Sequence, residues 1–294
     1  MSQVGNILIG PIEFALRSRS LSNVEYPVFP YGGFYRQDEA LDVFSPQIKL
    51  DVDLMQQGYA VPASSPDFES GQNWAYWKMP EGHLICSGIH QRETARAACL
   101  WPSDSKECQL FIEADPQHAP LRYPLDQILA WVLLGKVGAV LMHAALIEKE
   151  GRAWVLAGHS GAGKSTLSEL AHTQGWRVLN DDRTIIHPDP LTGAWLASGT
   201  PWHGSGRFAE ADTVPLHGIA FLHQATECRM ETLAKSQALR AMLNVVSVPW
   251  FEDTWLDPVI GALDNLGQSD LFHNFYFSRS VAAVDLLEGV ALTA

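Results

Sequence analysis

The sequence predicts an α/β chain in two parts, a β-rich N-terminal domain over residues 1–120 and a mixed-sheet α/β domain over residues 121–294. Three observations predict it. Short apolar runs broken by Pro, Gly and Ser fill the first part. Past Pro116-Gln117-His118-Ala119-Pro120 the apolar periods lengthen to those of buried helices and strands. Within the second part, two strand-like runs separated only by Lys149-Glu150-Gly151 lead at once into a glycine-rich turn and a helix. A length of 294 residues accommodates two cores of ordinary size.

In the first part, residues 41–44, 48–52, 74–77, 84–86 and 109–112 read as strands of an antiparallel sheet, with Pro62-Ala63-Ser64-Ser65-Pro66 as a loop between them. No catalytic motif is visible there, and presentation of a substrate is the role left to it. In the second part Asp126 caps a helix running to about Lys136. Residues 140–148 and 152–157 then form an antiparallel hairpin, because a three-residue connection is too short for a parallel crossover. A helix follows over 164–173, then strands over 176–179 and 183–187, a turn at 190–193 and a strand at 218–222. Helices are expected at 234–246 and 258–266, and strands at 274–277 and 281–287 close the chain.

Composition narrows the function. The formal charge is −13, and protonating all 11 histidines leaves about −2, so a generally basic surface for nucleic acid is absent. The cysteines Cys86, Cys99, Cys108 and Cys228 have neither CxxC nor Cys/His ligand spacing and read as reduced thiols of a cytoplasmic protein. Arg17 and Arg19 follow the N-terminal apolar stretch instead of preceding it, the reverse of a secretory signal. The apolar window 128–147 contains Lys136, Gly138 and His143, and it resolves better into a buried helix and a strand than into a membrane span. Self-association is left open.

Gly158-His159-Ser160-Gly161-Ala162-Gly163-Lys164-Ser165 matches G-x-x-x-x-G-K-[ST], the phosphate-binding P-loop. Glycines let backbone N–H groups converge on phosphate oxygens, and the helix N-terminus adds favourable partial charge. Lys164 reaches the β/γ-phosphates, and Ser165 is placed to hold Mg²⁺. The hairpin departs from the all-parallel sheet of doubly wound nucleotidases. Nor does the strand at 219–222 end in an acid, since His223-Gln224 follows. The acidic candidates are Asp181-Asp182, past the strand after the P-loop helix.

Met142-His143-Ala144-Ala145-Leu146, the hairpin, the P-loop and Arg177-Val178-Leu179-Asn180-Asp181-Asp182-Arg183 together resemble the catalytic domain of the HPr kinase/phosphorylase family. The resemblance implies a fold related to ATP-dependent phosphoenolpyruvate carboxykinase, ATP and Mg²⁺ as cofactors, and phosphorylation of a serine hydroxyl on a small protein. It makes His143, Asp181 and Asp182 catalytic, and Gly158, His159, Ser160, Gly161, Ala162, Gly163, Lys164, Ser165 and Thr166 nucleotide-binding. His159 stands where that family commonly has Asp, and no copy of its Gly-Arg-Asn loop is found. The chain is thus more similar to the HPr kinase-related group, which includes kinases acting on lasso-peptide precursors. Residues 199–207 fit this group, with Arg207 as a phosphate contact.

Each assignment has a plainer counterpart. His143 on an apolar strand reads also as a satisfied core histidine, Asp181-Asp182 as an Asx turn, and Arg207 as a solvated turn residue. Successive side chains on an extended strand point to opposite sides, so the two aspartates are expected to divide the work. Asp181 is assigned as the base, with His143 stabilising transferred charge, and Asp182 joins Ser165 as the metal partner. The expected activity is transfer of the γ-phosphoryl group of ATP to a Ser or Thr hydroxyl of a peptide or small protein. The rivals are a small-molecule hydroxyl kinase, a nucleotide-binding sensor or scaffold, and carboxykinase-like metabolism.

Overall fold

The computed structural model describes residues 2–19, 29–36, 46–71, 73–91, 93–103, 105–113 and 121–289. The strand expected at 41–44 and the boundary loop at 116–120 lie outside these. The chain divides into two compact units, Met1–Leu133 and Leu134–Ala294.

The first unit is built on a sheet of short strands. β1 (Ser2–Ile9) and β2 (Ile12–Ser18) make a hairpin across Gly10, whose φ of 55° suits the tight turn. There follow β3 (Tyr35–Arg36), β4 (Ile48–Met55), β5 (Tyr59–Ala60), β6 (Phe68–Glu69), β7 (Trp74–Met79), β8 (Gly82–His90), β9 (Thr94–Pro102) and β10 (Glu107–Ile112). The spatial order is β3-β1-β2-β4-β10-β9-β8-β7-β6, with β5 on β9. The sheet is therefore mixed, which corrects the antiparallel expectation. β4 runs parallel to both β2 and β10. Parallel pairing needs a long connection, and the chain between Ser18 and Ile48, and then the whole β5–β9 meander, supply one on each side. β4 shows the alternation that orients the sheet: Leu50, Val52 and Leu54 are buried, while Lys49 and Asp51 pair with Glu13 and Arg17 at 2.9 Å each.

α1 (Leu125–Lys136) carries Asp126 inside its first turn. Its carboxylate accepts the Tyr31 hydroxyl at 2.6 Å and the Gln127 N–H at 2.7 Å, so it acts from within the helix and not as the residue that begins it.

The second unit opens with β11 (Val140–Lys149) and β12 (Arg152–Ala157), the expected antiparallel hairpin. α2 (Lys164–Thr173), β13 (Arg177–Asn180), β14 (Arg183–Pro188), β15 (Trp195–Ser198), β16 (Thr213–Gln224), β17 (Arg229–Thr232), α3 (Lys235–Met242), α4 (Asp253–Gly267), β18 (Phe272–Phe277) and α5 (Val281–Gly289) follow. β11 pairs with β14 through its first half and with β12 and β13 through its second. β16 pairs with β15 at its start, then with β12 and β18 in parallel. One core, including Val140, Met142, Val155 and Phe221, is packed with Met242 of α3 and Val259 and Leu263 of α4. On the other side of the sheet Leu156, Phe275 and Phe277 pack with Leu167 of α2 and Val284 of α5.

Two expectations change here. Residues 281–287 are helical, not a strand: Ala283, Val284 and Leu287 are buried while Val281 is exposed, which is helical spacing. α4 begins at Asp253, ahead of Pro258; the Glu252 carboxylate caps it by accepting the Thr254 N–H at 3.3 Å. The apolar window at 128–147 is divided between α1 and β11, and among the described residues no helix is long and apolar enough to cross a membrane.

Candidate functional site

The loop from Gly158 to Gly163 joins the end of β12 to the start of α2. Its glycines are structurally required. Gly163 has φ 107°, and a Cβ there would stand 2.6 Å from the Phe277 ring; one on Gly158 would stand 2.7 Å from the Ala162 Cβ. The loop is tied by the Ala162 N–H to the His159 carbonyl at 3.1 Å and by the Gln224 side-chain amide to the Gly161 carbonyl at 2.8 Å. The second bond explains why β16 ends in Gln and not in an acid: its last side chain holds the loop. α2 starts with no side-chain cap and no acidic residue in its first turn, which leaves its N-terminal N–H groups and partial positive charge available to an anion.

Lys164, buried at the start of α2, points back into the loop. Its ammonium donates to the Gly158 carbonyl at 2.7 Å and lies 3.0 Å from His143 Nε2. The other ring nitrogen, Nδ1, lies 3.0 Å from Asp182 Oδ1. Arg183 touches His143 Nδ1 as well and lies 3.5 Å from Asp182 Oδ2. Burial pushes the Lys164 pKa below the usual lysine range, partly countered by the Asp182 charge and reinforced by Arg183. For Asp182 burial pulls upward, but the His143 hydrogen bond and the charges of Arg183, His143 and Lys164 together hold it below the usual carboxylate range.

Asp181 and Asp182 form the bend between β13 and β14, outside either strand, and their carboxylates engage different partners. Asp181 is 3% exposed, and both its oxygens accept backbone N–H groups, from Gly204 at 2.8 Å and from Gly206 at 2.6 Å. Its neighbour Asn180, fully buried, accepts the N–H groups of Asp182 and Arg183 at 2.7 and 2.6 Å and donates to the Thr200 carbonyl at 2.8 Å. Asn180 thereby sets the bend between β13 and β14 that presents Asp182.

These groups share one cleft of about 290 Å³. It is lined by His143, Ser160, Gly161, Gly163, Lys164, Ser165, Thr166, Asp181, Asp182, Gly204, Ser205 and Arg279. Gly158 and Ala162 are buried behind the loop, exposed His159 turns its Nδ1 to the Ser160 carbonyl at 2.7 Å, and none of the three lines the cleft. Nor does Arg207, an exposed residue with φ 59°. The cleft-lining arginine is Arg279, just past β18, which sequence reasoning missed; it makes no ion pair among the described residues. Among those residues no three His, Cys, Asp or Glu side chains converge as a metal cage.

Residues 125–259, a little under half of the chain, match the model of a family described as SynChlorMet cassette protein ScmC. No curated protein matches. Among solved structures, the Hpr(Ser) kinase/phosphatase from Coxiella burnetii aligns over 50% of this chain and 91% of its own, at 12% identity and a TM-score of 0.26. That likeness is too loose to carry a role to any residue.

Proposed function

We propose that the chain is a kinase that binds ATP with Mg²⁺ and transfers the γ-phosphoryl group to a hydroxyl, that of a serine or threonine in a peptide or small protein. One observation carries the reading: Lys164, at the uncapped start of α2, touches the same imidazole that holds Asp182. A phosphate-binding cation and a carboxylate fit to take a proton thus share one cleft.

The residues fit the ligands. A P-loop needs free N–H groups at a helix start, and α2 offers them. Mg²⁺ usually takes one or two protein ligands and completes its shell with phosphate oxygens and water; the Ser165 hydroxyl would hold it here, which leaves Asp182 for the proton. ATP with Mg²⁺ supplies the transferable group and neutralises its charge. Lys164 exchanges the Gly158 carbonyl for phosphate oxygens, and Arg279 adds a second cation at the cleft edge. As the acceptor oxygen bonds to the γ-phosphorus and the bridging bond to the β-phosphate breaks, Asp182 takes the hydroxyl proton. Its lowered pKa keeps it ionised for this, and His143, with Nδ1 3.0 Å from Oδ1, orients it. Asp181 holds the Gly204–Gly206 loop, so this proposal moves the proton acceptor from Asp181 to Asp182.

The test is incubation with γ-labelled ATP, Mg²⁺ and candidate small proteins encoded beside this one, read by mass spectrometry. Phosphoserine or phosphothreonine is expected with the wild type and lost in Lys164→Ala. ATP binding without transfer to any acceptor would favour a sensor instead.

A further inference from the structure

A second cleft, of about 240 Å³, lies within the first unit. It forms where Ser87 and Gly88 of β8, Arg96 of β9 and the Arg122–Pro124 approach to α1 come together. Gly88 adopts φ 60° and turns its N–H to the Asn73 carbonyl at 3.1 Å. A Cβ on Gly88 would stand 3.1–3.3 Å from Cβ, Cγ and Cδ of Arg96, so the glycine lets the arginine stem lie flat at the cleft. Arg122 Nη1 is buried with no hydrogen-bond partner. Neither arginine makes an ion pair among the described residues. In a chain of charge −13, two unpaired guanidinium groups at one cavity are unexpected, because acidic partners abound. The carboxylate closest in sequence to Arg122, Asp126, is committed to Tyr31 and to the Gln127 N–H.

We propose that this cleft binds a carboxylate, with Arg96 and Arg122 as its cationic partners. A guanidinium fork matches the two oxygens of a carboxylate, and Asn73 and Ser87 add neutral polar groups beside it. The volume is below the roughly 300–1,000 Å³ of sites that take whole drug-sized molecules, and it suits a carboxylate with the residue that bears it. A phosphate is the poorer fit. The helix start beside the cleft already holds the Asp126 carboxylate, which repels a dianion more than a monoanion. A peptide supplies such a group at its C-terminus or on an acidic side chain. The proposal concerns binding alone and stands whether or not the chain transfers phosphate.

The test is calorimetry on the full chain at low salt and pH 7, without nucleotide. The probes are N-acetyl-Ala-Ala with a free carboxylate, its amide, N-acetyl-aspartyl amide and inorganic phosphate. Binding of a carboxylate probe but not of the neutral amide is expected, and whichever carboxylate binds more tightly identifies terminus or side chain. Arg122→Gln and Arg96→Gln should each weaken it at least about 10-fold. The melting temperature of Arg122→Gln should not fall, because Nη1 gives up no bond. No carboxylate binding, equal binding of the amide, tighter binding of phosphate, or wild-type affinity in both variants would each overturn the proposal.

Discussion

Replacing Asp181 and Asp182 by asparagine, one at a time, separates an anchor from a base. Asp181 is 3% exposed and spends both oxygens on the Gly204 and Gly206 N–H groups at 2.8 and 2.6 Å. Asparagine keeps one acceptor and turns an NH₂ towards the other donor. That loses one charge-assisted bond of about 1.5–3 kcal/mol and weakens the second, a cost of about 2–4 kcal/mol. For a body the size of the second unit this lowers Tm by roughly 5–15 °C. Asp182 differs: its side chain is 30% exposed, and its contacts with His143 and Arg183 are partly screened. Asp182→Asn should shift Tm by no more than about 2 °C and lower phosphoryl transfer by about 10²–10⁴. Scanning fluorimetry reads the first quantity and single-turnover transfer the second, at a temperature where both variants are folded. Wild-type melting with lost transfer in Asp181→Asn, alongside full transfer in Asp182→Asn, would refute the division of roles.

Gly163→Ala forces a Cβ to 2.6 Å from the Phe277 ring at φ 107°, so ATP·Mg affinity measured by calorimetry should fall by roughly 10-fold or more as the loop is displaced. Arg279→Gln removes a cleft cation that has no acidic partner among the described residues; it should leave Tm unchanged and raise the KM for ATP several-fold, more at low salt than at high. His187, 3% exposed, has its pKa lowered to about 4 from 6.5 by burial, so the folded state resists a proton that the unfolded state accepts. Its contribution is present above pH 6.5 and is lost as pH falls towards 4, about 3 kcal/mol in all. In urea titrations His187→Gln should show a correspondingly shallower loss of stability over that window, and identical pH slopes would exclude the assignment.

The legible parts of the fold are those where local chemistry leaves one choice. The two residues between β11 and β12, Glu150 and Gly151, permit only an antiparallel hairpin, and Gly163-Lys164 marks the start of α2. α5 was illegible for the opposite reason. A nine-residue apolar segment with valines at 281 and 284 fits strand and helix alike, and only its contacts with the core select the helix. The parallel placement of β4 leaves no local mark at all, since it follows from which distant strands it joins.

The site divides along the same line. Motif spacing singles out the loop and Lys164, the resemblance singles out His143 and the aspartate pair, and the structure brings these groups to one cleft. Strand alternation predicts that Asp181 and Asp182 face different partners; they do, but from a two-residue bend outside β13 and β14. It cannot say which faces which, because the Asp181 donors, Gly204 and Gly206, come from a loop 23 and 25 positions away. Arg279 is the sharper case. β18 runs parallel to β16, and β16 parallel to β12, so the C-terminal ends of all three strands fall on one edge. The loop after β12 and the arginine after β18 therefore meet although 115 positions separate Lys164 from Arg279. In open α/β sheets that carboxyl edge is where ligands bind. A cation placed there by strand order, with no ion pair among the described residues, supports the proposed binding of an anion independently of the glycine-rich motif.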